Sequence, residues 1–144
     1  MKRSIKILLF SIIYLFLVSH VHANAEELFN RGKTNYRIVL SSNASKTEET
    51  AANELATYLK QISGTTFEIT GTPGERNIYV GYDSANKVFK RLTAYKNDDD
   101  GFMVMTIGSD IVIFGGKERG TMYGVYRFLE TLFGVEWYTP TFTK

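Results

Sequence analysis

The sequence predicts an α+β fold: a two-layer α/β sandwich in which two helices cover one face of a mixed β-sheet. Three observations carry that prediction. Two stretches, one ending at Gly64 and one at Gly134, place apolar residues at helical spacing, so each needs an apolar surface to cover. Short β-branched and aromatic runs, bounded by glycine, proline and aspartate, supply that surface. The 144 residues include no cysteine and 44% hydrophobic side chains, so a core of ordinary size must hold the fold without cross-links.

Taken in order, Asn24 to Asn35 is polar and reads as a flexible lead-in, and Tyr36 to Ser41 reads as a strand. Ser45 stands three residues before Glu48, the spacing at which each side chain satisfies the other's free backbone N–H at a helix start. Ala52, Leu55, Leu59 and Ile62 then form an apolar stripe, with Glu49, Asn53 and Lys60 opposite, and Gly64 is placed to close the helix in the left-handed conformation. Phe67 to Thr70 is a short strand before the turn Gly71-Thr72-Pro73-Gly74. Ile78 to Gly81 is a strand, and Ser84 to Leu92 holds a short helix. Gly101 to Ile107 and Ile111 to Phe114 flank Gly108-Ser109-Asp110 as a hairpin. A second helix starts near Lys117, carries Val125, Phe128, Leu129 and Leu132 on one face, and stops at Gly134. Val135 to Tyr138 is a last extended segment before Pro140.

Charge is unevenly spread. Lys2, Arg3 and Lys6 precede the apolar run Ile7 to Val18, and Val21 and Ala23 follow as small residues. That order reads as a secretory signal peptide over residues 1–23. Twelve apolar positions fall short of the ~20 that a spanning helix needs, so no stable membrane span is expected after leader cleavage. From Asn24 onward the formal charge of +2 for the whole chain becomes −1, without a basic run, which removes the electrostatic footprint of nucleic-acid binding. Both histidines, His20 and His22, lie in the leader. The exported chain is therefore without His or Cys, which excludes zinc sites built on them, Ser-His-Asp triads and Cys nucleophiles. A lipoprotein anchor is excluded too, since it needs a cysteine. Neither a metal nor a cofactor is expected.

Few motifs suggest chemistry. Gly115-Gly116-Lys117 lacks the phosphate-loop pattern, because Ile111 stands where the first glycine belongs and Glu118 where Ser or Thr is needed. Asp98-Asp99-Asp100 lacks the alternation of a calcium loop and reads as a solvated connection. Two carboxylates alone can cleave a glycosidic bond, but Asp83, Glu118, Glu130 and Glu136 lie on separate elements and no pair is singled out. Gly120 and Gly124 share one face of the second helix. Each costs roughly 1 kcal/mol relative to Ala there, a cost that close packing on the sheet explains.

Arg119-Gly120-Thr121, Tyr123-Gly124-Val125-Tyr126, Leu129-Glu130 and Gly134-Val135-Glu136-Trp137 resemble the end of the N-terminal domain of family 67 α-glucuronidases and family 20 β-hexosaminidases. Related Bacteroidetes glycan-associated proteins share the pattern. The Glu49 to Leu55 helix and the Ile78 to Gly81 strand look like the same domain, so the resemblance covers about Tyr36 to Pro140. It implies a zincin-like sheet with two helices and no metal centre, preceding a (β/α)₈ barrel that carries the catalytic acids. Residues 36–140 would then be an accessory domain of a secreted, periplasmic or extracellular carbohydrate-active enzyme, and 141–144 the start of a linker to a barrel absent from this chain. No catalytic residue is expected in it. Trp137, Tyr138 and Arg119 are the candidates for contact with the barrel or with a sugar, and Gly120, Gly124 and Gly134 are structural. The alternative reading is a free-standing glycan-binding module for a polysaccharide or oligosaccharide.

Overall fold

The computed structural model describes residues 27–88, 100–116, 119–139 and 142–143. Its elements are β1 (Tyr36–Leu40), α1 (Lys46–Ser63), β2 (Ile69–Thr70), β3 (Arg76–Val80), α2 (Tyr82–Val88), β4 (Phe102–Ile107), β5 (Asp110–Gly115), α3 (Gly120–Phe133), β6 (Trp137–Thr139) and β7 (Phe142–Thr143). Five strands form a mixed sheet in the order β2-β1-β3-β5-β4, and β6 and β7 form a separate antiparallel pair. β1, β2, β3 and β5 run parallel, and β4 closes one edge antiparallel to β5. The fold is α+β, as the pattern of elements predicts.

The ends of α1 follow from local chemistry. The Ser45 hydroxyl accepts from the Glu48 N–H at 3.2 Å, and the Glu48 carboxylate accepts from the Ser45 N–H at 2.8 Å. Gly64 ends the helix at φ 70°, and its N–H reaches the Lys60 carbonyl at 2.8 Å. The second Glu48 oxygen accepts from the Tyr82 N–H at 3.2 Å, which ties the start of α1 to the start of α2. Gly81 sits at φ 86°, and a Cβ there would collide with the Glu48 carboxylate, so glycine is required twice over.

The main core lies between the sheet and the α1–α3 pair. Ala51, Ala52, Leu55 and Leu59 of α1 and Val125, Phe128 and Leu129 of α3 bury against Ile38, Ile78, Val80, Ile111 and Ile113. Each large aliphatic side chain so buried contributes about 1.5–3 kcal/mol. The opposite face is also buried: Val39, Tyr79, Val112 and Phe114 pack with Ala85 of α2. The sheet is therefore covered on both faces, with two long helices on one side and the short α2 on the other.

Several boundaries and faces differ from the sequence reading. Phe67 is buried but precedes the strand, which is only Ile69–Thr70. α2 begins at Tyr82, before Ser84, and of that expected helix the residues beyond Val88 lie outside the described ones. α3 begins at Gly120; Lys117 and Glu118 lie outside the described residues. Ile62 and Leu132, both assigned to apolar stripes, are 40% and 55% exposed. Each falls in the last turn of its helix, and Leu132 lines an open groove between α3 and β4. The lead-in is tied down at Leu28 and Phe29, which pack against the core, with Phe29 stacked on Phe133 at 6.0 Å. Phe142–Thr143, within the expected linker, pairs with β6.

α3 lies close on the β4–β5 hairpin through its glycines. A Cβ at Gly120 would stand 2.5 Å from the Gly101 carbonyl oxygen and 2.9 Å from the Gly115 Cα. At Gly124 it would stand 2.9 Å from the Ile113 Cγ2. The first conflict is with backbone and the second with a β-branched side chain, neither of which yields easily. Gly124→Leu is expected to destabilise the fold by roughly 1 to 3 kcal/mol or more, and even Gly120→Ala to exceed the cost of Gly124→Ala. Denaturant titration of the three variants checks this; a raised midpoint in any of them contradicts the packing.

Candidate functional site

Arg119 and Trp137, two of the three residues expected to make contacts, stand apart. Arg119 is exposed at the start of α3 and pairs with Asp100 at 3.6 Å. Trp137 folds back beside the helix pair, reaching Tyr126, which is two turns of α3, about 10 Å along its axis, from Arg119. The backbone of Tyr138 is in β6, and its side chain lies outside the described residues.

Trp137 is half-buried and belongs to a cluster on the α1–α3 seam. Its ring meets Tyr58 edge-on at 4.9 Å and Tyr126 at a tilt at 4.6 Å. α1 supplies Tyr58 and, one turn earlier, Glu54; α3 supplies Tyr126. The left-handed turn at Gly134 (φ 66°) reverses the chain so that Val135 enters the core and Trp137 lands on the seam. The Tyr126 hydroxyl donates to the Glu54 carboxylate. Burial, then that hydrogen bond, then the charge of Glu54 and the neighbouring Tyr58 hold the Tyr126 hydroxyl far above the usual phenol range. It stays protonated and acts as a fixed donor. The Trp137 Nε1 is buried without a hydrogen-bond partner among the described residues. Sequence reading named Trp137 and missed Glu54 and Tyr58; their i, i+4 spacing on one flank of α1 was the available signal.

The described carboxylates are largely occupied by structural partners. Glu48 caps α1, Glu49 pairs with Lys46 at 2.7 Å, Glu68 with Arg37 at 3.4 Å and Glu130 with Arg127 at 3.2 Å. Asp110 accepts from the Asn77 backbone and side chain at 2.8 and 3.0 Å. Of the four acids weighed for catalysis, Asp83 is exposed in the first turn of α2, Glu136 is exposed after α3, and Glu118 lies outside the described residues. Among the described residues no group of three His, Cys, Asp or Glu could hold a metal ion, and no helix is long and apolar enough to cross a membrane.

The family model for the glycosyl hydrolase family 67 N-terminus matches residues 21–128, three-quarters of the chain. The chain belongs to that family. The match takes in α1, the sheet and α3 as far as Phe128, and ends before Gly134 and Trp137. No match was found among curated proteins. Among solved structures, the chain is similar to a family GH115 4-O-methyl-α-glucuronidase with specificity for decorated arabinogalactans, at 23% identity and TM-score 0.57 over 71% of this chain. It is also similar to a GH138 enzyme targeting pectin rhamnogalacturonan II, at 19% identity and TM-score 0.49 over 67%. The family 67 N-terminal domain seen here spans only 14% and 10% of those two chains.

Trp137 is the only tryptophan, so fluorescence reports on this cluster alone. Its emission is expected to be blue-shifted and weakly quenched by iodide, and Trp137→Ala to cost about 3 kcal/mol; a red-shifted, readily quenched signal contradicts the seam packing.

The Tyr126 shift gives a second expectation. Its folded pKa lies above the unfolded value of ~10, so its stabilisation is present below about pH 10 and is lost as pH rises toward the folded pKa. Tyr126→Phe should cost about 1 kcal/mol at neutral pH and reduce the alkaline loss of stability. Tyr79, raised by burial and then by Asp110, contributes to what remains of that loss, as does Lys46, raised by its hydrogen bond to Glu49 and then by that charge. Unfolding midpoints measured from neutral pH to about pH 11 check both; an unchanged alkaline profile contradicts the assignment.

Proposed function

We propose that this chain is the non-catalytic N-terminal accessory domain of an exported α-glucuronidase-like glycoside hydrolase, whose catalytic acids reside in a separate barrel. The observation that carries this reading is the family match over residues 21–128, on a domain where Glu48, Glu130 and Asp110 serve its own helices and loops. The leader pattern of residues 1–23 supports export to the periplasm or beyond, where polymeric glycans are met. The GH115 neighbour acts on decorated arabinogalactans, and uronic-acid-bearing plant polysaccharides are the substrate class assigned to the parent enzyme.

The role proposed for the domain is architectural. A rigid sheet with buried faces and a helix seam locked by Tyr58, Tyr126 and Trp137 gives a neighbouring barrel a fixed surface to rest on. Sugar recognition by stacking would need an open aromatic face, whereas Trp137 spends its ring on two tyrosines.

The exported protein, whose intact mass should begin at Asn24, is expected to release no aglycone from aryl α-glucuronides or aryl N-acetylhexosaminides. Turnover that a single carboxylate substitution abolishes would refute the non-catalytic reading. Micromolar retention on glucuronoxylan or arabinogalactan, lost in Trp137→Ala while the fold persists, would favour a glycan-binding module instead.

A further inference from the structure

We draw no further inference here: the strongest candidate, the polar pocket of about 470 Å³ at the starts of β1 and β3 lined by Glu27, Asn30, Lys33, Asn35 and Arg76, carries nothing, because Arg76 already lies over the Tyr36 ring and nothing in the structure shows what would fill it.

Discussion

The close approach of α3 to the β4–β5 hairpin is the constraint on which the rest of this domain depends. At Gly120 the helix backbone lies against the backbone of Gly101 and Gly115, and at Gly124 against Ile113. Around that contact the Gly115 N–H reaches the Thr121 hydroxyl at 3.1 Å, and the Gly116 N–H reaches the Gly101 carbonyl at 2.9 Å. The first of these bonds ties the start of α3 to β5, at a helix end where Arg119 supplies no side-chain cap. With the helix start fixed at this depth, Val125, Phe128 and Leu129 reach the sheet, and the turn at Gly134 delivers Trp137 to the α1 seam.

A second set of ties joins elements distant in sequence. Glu48 links α1 to α2, the Ser84 hydroxyl accepts from the Ser41 N–H at 2.7 Å, and the Tyr36 hydroxyl donates to the Ser109 carbonyl at 3.0 Å. Asn77, almost fully buried, bridges the Gly74 loop to Asp110. Polar groups in such positions must be paired, because an unpaired one costs about 1–3 kcal/mol when buried. These polar groups of this family 67 N-terminal domain hold loops and helix ends to the sheet.

Much of the fold was legible because its signals are local. The Ser45–Glu48 spacing, Gly64 and Gly134 at the helix ends and the Gly108-Ser109 turn depend only on neighbouring residues, and the structure has each of them in its expected role. The second covered face of the sheet was harder to read. Ile78-Tyr79-Val80 and Ile111 to Phe114 are continuous apolar runs, the mark of strands buried on both sides, yet a short run of this kind looks the same in either setting. Ile62 and Leu132 fit their helical stripes by period; their exposure in the last turns of the two helices depends on tertiary packing, which no period encodes.

The sequence by itself determined the element types, the helix ends, the glycines at which α3 meets the sheet, and a chemistry without His or Cys beyond His22. Those depend on backbone conformation and on which functional groups exist at all. Tertiary structure alone decided the partners: that Trp137 lies between Tyr58 and Tyr126, that Glu54 fixes Tyr126, and that β4 stands at an edge of the five-stranded sheet. Tyr58 and Trp137, like Glu54 and Tyr126, are some 70 to 80 positions apart. Trp137 reaches Tyr126 only through the turn at Gly134, and the β4 edge follows from strand order. All are set by how the layers stack rather than by any local pattern.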